Sequence, residues 1–185
     1  QADPTHFPNI DNFYRFEGRF MYQSAQRAPL WRRLAAMMYD VMALIALMML
    51  AMGLALMVVK GLQIAGVLAT EGYIDTADYV QKHAIWFQLY LIVGIFSFYV
   101  YFWSKAGQTL GMRAWRLLLV NQDGTLLKPS KALLRSLLAL AGLGNLWLII
   151  RFGKGLALQD QLTDSQMIVL TKEQSSLRNL HKEAR

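Results

Sequence analysis

One aspartate, Asp40, interrupts the run from Arg32 to Val59, RRLAAMMYDVMALIALMMLAMGLALMVV, which carries no other formal charge after its two arginines. Near the middle of a membrane helix a carboxylate costs about 2.5–3.5 kcal/mol on insertion scales, so one that persists faces protein, water or a partner charge. Such a group can bind a proton, a cation or a guanidinium. Arg33 precedes Asp40 by seven residues, two turns and about 10 Å of rise, so both point one way without touching. A group from another segment is therefore expected to neutralise Asp40. Arg135, one turn into the third apolar segment, is the candidate counter-ion. Taken alone, Arg33 reads as an anchor at the cytoplasmic interface, and Asp160 as a surface carboxylate in a loop or at a helix N-cap.

The elements that position these residues follow from hydropathy and punctuation. About 20 apolar residues cross a bilayer's hydrocarbon core, which predicts helices over about residues 34–59, 84–103 and 132–150. Lys60 is expected to end the first. Residues 61–83 then form a slightly acidic loop, Glu71, Asp75 and Asp78 against Lys82, with no arginine. The flanks before the first helix and after Trp103 are basic, which puts the N-terminus in the cytoplasm and this loop outside. Trp86 and Tyr90 near one end of the second helix, and Tyr99, Tyr101 and Trp103 near the other, fit interfacial belts. Gly142, Gly144 and Asn145 interrupt the third segment, and Arg151 and Lys154 follow it. A broken, re-entrant segment is favoured over a single crossing. WRLLLV, then NQDG and TLL, reads as a β-hairpin because Asp-Gly supplies a tight turn, and SQMIVL at 165–170 is a further short run able to pair with it. The expected fold is an all-α integral membrane protein: two spanning helices, a third broken or re-entrant segment and a small cytoplasmic β-hairpin.

Around this membrane domain, residues 32–170, lie an aromatic and basic cytoplasmic lead-in (1–31) and a polar tail (171–185). The lead-in reads as a short interfacial helix, a partly disordered arm or a docking segment for another protein. No secretory signal peptide is expected at the start of the chain. The chain of 185 residues is 55% hydrophobic with a net charge of +7, and its positives flank apolar segments, which orientation in the membrane explains without nucleic acid. There is no cysteine, and His6, His83 and His181 are far apart, so neither a cofactor nor a metal site is expected. The methionines of the first helix lack a one-face repeat and read as packing. No Ser-His, paired intramembrane aspartate or His-Glu metal motif falls in the apolar segments, so the chain is not expected to be an enzyme.

Together these pieces resemble the RDD family of bacterial membrane proteins, named for one arginine and two aspartates. Trp31-Arg32-Arg33-Leu34-Ala35-Ala36 leading to Asp40 matches its first box, Gly107-Gln108-Thr109-Leu110-Gly111-Met112 its second, and Leu133-Leu134-Arg135 its third. The second aspartate appears as Asp160 in Leu158-Gln159-Asp160-Gln161-Leu162, where glutamines replace the family's histidine and basic residue. The resemblance covers about residues 29–170 and implies a multi-pass inner-membrane protein, usually read as a transporter, with cation/proton exchange one proposal.

Two functions stay open. In one, Asp40 alternates between a proton and a monovalent cation, Arg33 and Arg135 gate it, and Asp160 extends the path. Two helices and a broken segment hardly enclose a pathway, so this requires a homo-oligomer or larger complex. In the other, Arg33, Asp40, Arg135 and Asp160 form a permanent packing network in an accessory subunit of a membrane complex.

Overall fold

Leucine, alanine and methionine, all strong helix formers, carry the first helix without a break once Pro29, extended at φ −67°, ends the preceding strand-like segment. The computed structural model describes residues 25–139 and 157–176. In it α1 spans Leu30–Ile64, 35 residues or about 52 Å at 1.5 Å per residue. Lys60 does not end it; the helix runs one turn further, to Ile64. Val41 to Val59 alone rises about 28 Å, close to the ~30 Å of a bilayer's hydrocarbon core. Asp40 thus sits at the edge of the apolar stretch, not near its middle.

A short helix α2 (Thr76–Lys82) follows, with Asp75 accepting from Asp78 N at 2.8 Å as its N-cap. The Thr76 hydroxyl donates to Gln63 Oε1 at 2.9 Å and ties α2 to the far end of α1. Helix α3 (Ala84–Lys105) then returns antiparallel along α1. Tyr90 donates to the Ala51 carbonyl at 3.4 Å, and further along Gly94 lies against Met48. Outside this seam the two helices expose apolar side chains almost everywhere, among them Met42, Met49, Leu50, Met57, Trp86 and Val93. Both are long and apolar enough to cross a membrane.

A small soluble-style core caps one end of the pair. After α4 (Leu110–Ala114) comes β1 (Leu117–Asn121), then α5 (Pro129–Ala139), α6 (Leu158–Leu162) and β2 (Ser165–Val169). β1 and β2 pair antiparallel, Leu117 opposite Val169 and Asn121 opposite Ser165. The expected hairpin is therefore corrected. The Asp-Gly turn does form, with Gly124 at φ +81° and Thr125 O accepting from Asn121 N. Beyond it, however, Asn121 Nδ2 binds Leu126 O and Pro129 starts α5, leaving no room for a second strand. The partner is SQMIVL instead. Both faces of this ribbon are buried, Leu117, Leu119 and Met167 on one and Leu118, Val120 and Ile168 on the other. That is why β1 is an unbroken apolar run instead of an alternating one.

The expected lead-in up to residue 24, the Gly142–Asn145 break with residues 140–156, and the tail from residue 177 lie outside the described residues.

Candidate functional site

The second box folds as a tight connector that brings Thr109 and Gly111 to Asp40. Gly107, at φ +65°, turns the chain, and a Cβ there would meet Leu126 Cδ2 at 2.7 Å and Leu119 O at 2.9 Å. Gln108 donates to Leu117 O at 2.7 Å. Thr109 caps α4 by accepting from Met112 N at 3.2 Å, and its hydroxyl donates to Asp40 Oδ2 at 2.6 Å. Gly111 N donates to the other oxygen, Oδ1, at 2.8 Å. Gly111 also has to be glycine, since a Cβ would overlap the Ala36 carbonyl oxygen of α1 and approach Asp40 Cγ at 3.0 Å. The buried carboxylate is thus satisfied by a hydroxyl and a backbone N–H at the start of α4. Arg135 is not its counter-ion, and Asp40 pairs with neither arginine.

The arginines converge elsewhere, on Asp160. Arg33, Arg135 and Asp160 are 3%, 1% and 0% exposed. Arg135 Nη2 lies 2.5 Å from Asp160 Oδ1, and Arg33 Nη2 lies 2.7 Å from Oδ2. Arg135 Nη1 donates to Ser165 Oγ at 2.6 Å, its guanidinium stacks over Trp103 at 5.5 Å, and Arg33 Nε donates to Ala28 O at 3.1 Å. The clamp joins α1, α5, α6 and the start of β2, with Asp164 at φ 44° making the turn between the last two. Asp160 is therefore not a surface loop carboxylate, nor is Arg33 an exposed anchor. Burial alone would raise the Asp160 carboxyl, but Arg135 and then Arg33 outweigh it and hold the group below the usual carboxylate range.

Both clusters border one cavity of about 350 Å³. Its floor is Arg33, Asp40, Arg135 and Gln159, and its walls are apolar, from Met37, Val41 and Leu44 of α1 and from Ile95, Phe96 and Tyr99 of α3. Among the described residues, no three His, Cys, Asp or Glu side chains gather as a metal-ligand group.

The sequence profile of the RDD family matches residues 27–163, most of the chain. The chain belongs to the RDD family. No curated protein and no solved structure matches it. Family membership and the two long apolar helices point to a membrane protein. Of the expected RDD charges, the fold brings three together, Arg33, Arg135 and Asp160, and gives Asp40 its own cradle across the cavity floor. Thr109, Gly111, Ser165 and Trp103 are the site residues that charge patterning misses. Thr109 and Gly111 had a signal in their family box; Ser165 and Trp103 had none.

Proposed function

We propose that this RDD protein is a non-catalytic, multi-pass subunit of a larger inner-membrane assembly, with the Arg33–Asp160–Arg135 clamp as a permanent lock. The observation that carries this reading is the clamp itself. Each oxygen of a fully buried carboxylate faces its own guanidinium, and hydroxyls and a carbonyl take up further donors. A group held this way has no room to alternate. Breaking such a buried pair costs about 3–5 kcal/mol, which suits a lock better than a carrier. The long apolar flanks of α1 and α3 then seat lipid and neighbouring chains, copies of itself or others.

Arg32, Lys105, Arg113, Arg116, Lys128 and Lys131 lie toward the sheet end, whereas Glu71, Asp75 and Asp78 lie toward the other. This asymmetry supports a cytoplasmic sheet and N-terminus. The β1–β2 pairing supports placing α6 and β2 on the same side of the membrane as β1. Extraction of the full chain from its membrane in polymer nanodiscs tests the assembly. The expected particle carries more protein than one 21.1 kDa chain, and a lone chain contradicts the reading.

One observation favours a second reading, cation/proton exchange. Asp40 borders the cavity without an arginine partner, so a proton or monovalent cation reaching it would meet a carboxylate.

A further inference from the structure

A second cavity, of about 380 Å³, opens at the sheet end of the molecule, apart from Asp40 and the clamp. Its lining includes Gln26, Arg32 in the first turn of α1, Arg116 just before β1, and Thr171 and Gln174 just after β2. Two guanidinium side chains therefore border it, and no acidic residue does. Unlike the sealed arginines of the clamp, Arg32 is half-buried and Arg116 is exposed, which leaves both within reach of solvent. Among the described residues neither forms an ion pair.

Both arginines are held in place by their surroundings. The Arg32 guanidinium lies over the Trp31 ring at 5.2 Å, a contact that orients its plane. Arg116 stands at φ 53°, in the left-handed region where glycine is at ease and an arginine is strained. Its N–H donates to Arg113 O at 3.2 Å, and its carbonyl accepts from Leu170 N at 2.8 Å. Glycine would make this turn without strain, as it does at Gly107 and Gly124. An arginine kept at such a position points to a use for its side chain. Thr171 adds a polar group to the lining: its hydroxyl accepts from Gln174 N at 3.2 Å, which leaves the hydroxyl hydrogen to donate. Two positive charges with no acid beside them call for an anion. A doubly charged phosphate balances both and matches the forked donors of arginine, whereas a carboxylate brings one charge.

We propose that this cavity binds a phosphate group, held by Arg32 and Arg116 with Thr171 beside them. Arg32 precedes Val41 by nine residues, about 13 Å along α1. The site therefore lies outside the apolar stretch, at or beyond head-group depth, where a soluble phosphate ester and a lipid head group are both sources of that group. It is the same site whether the protein acts as a locked subunit or as a transporter.

Isothermal titration calorimetry on the full chain in an uncharged detergent tests this, with inorganic phosphate, phosphatidic acid and phosphatidylcholine as probes. Inorganic phosphate or phosphatidic acid is expected to bind saturably. Phosphatidylcholine, whose phosphate is a diester beside a choline, is expected to bind at least ten-fold more weakly. Phosphatidic acid tighter than inorganic phosphate by ten-fold or more assigns the site to a lipid head group, and any smaller difference assigns it to a soluble phosphate. Arg116→Gly removes one guanidinium and relieves the strained turn. Its affinity is expected to fall at least ten-fold while its unfolding midpoint stays the same or rises. If that variant does not fold, Arg32→Gln removes the other guanidinium and is expected to weaken binding at least ten-fold. No saturable binding, phosphatidylcholine as tight as the other probes, or unchanged affinity in the folded variant overturns the inference. So does a lower unfolding midpoint in Arg116→Gly, which would give the arginine a structural reason for its place.

Discussion

Asp160→Asn removes the one negative charge of the clamp and keeps its shape. In the wild type two guanidiniums share one carboxylate, at 2.5 and 2.7 Å, with all three groups out of water. The substitution leaves two buried cations unneutralised. The amide can offer its oxygen to one arginine only, and its NH₂ must face the other's donors. Removing one partner of a buried pair costs about 3–5 kcal/mol, or two to three and a half powers of ten at about 1.4 kcal/mol per ten-fold. Against typical stabilities of about 5–15 kcal/mol this is a large share. Equilibrium unfolding in mild detergent, followed by circular dichroism, reads it. The companion variant is Arg33→Met with Arg135→Leu and Asp160→Leu, which removes all the charges together. Thr163 and Ser165 stay satisfied there, bonded to each other at 2.7 Å, with Thr163 also donating to Gln159 O at 2.6 Å. The triple variant is therefore expected to recover most of the loss, since an apolar replacement of a buried charge set is often neutral or better. Stability of Asp160→Asn within about 1 kcal/mol of wild type would refute the reasoning.

Two further outcomes are expected from the same assay. Thr109→Val keeps the shape but strips a donor from Asp40 and the cap from α4, so it should lose about 1–3 kcal/mol, whereas Thr109→Ser should lose under about 1 kcal/mol. The Asp160 carboxyl is held below its usual range, so its stabilising contribution is complete above the unfolded value of about 3.9 and is lost as pH falls through the folded value. Unfolding measured from pH 8 downward should show that contribution flat to about pH 5 and declining below about pH 4, and Asp160→Asn should lack that part of the decline.

Local rules carried the sequence as far as local causes reach. The two long apolar helices follow from uniform apolarity, and the shared orientation of Arg33 and Asp40 follows from helical spacing. The partners of those charges depend on contacts distant in sequence. Asp160 reaches Arg33 because α6 and β2 are fixed by pairing with a strand more than 40 residues earlier, and no charge pattern encodes that register. Asp40 is met by a backbone N–H and a threonine hydroxyl, groups with no formal charge to attract notice, although Gly111 and Thr109 stand in a box whose pattern is legible. The hairpin expectation failed for a different reason. Its turn chemistry at Asp123-Gly124 was right, but Pro129 begins a helix too soon, and a ribbon buried on both faces selects the apolar SQMIVL over the short TLL segment.

The most direct measurement of the central claim is cation-driven proton movement by the purified, folded chain in proteoliposomes, under sodium, potassium and lithium gradients in turn. A locked subunit is expected to show no flux above protein-free vesicles. Gradient-driven flux from the wild type that disappears in a folded Asp40→Asn variant would contradict the account and place Asp40 on a transport path.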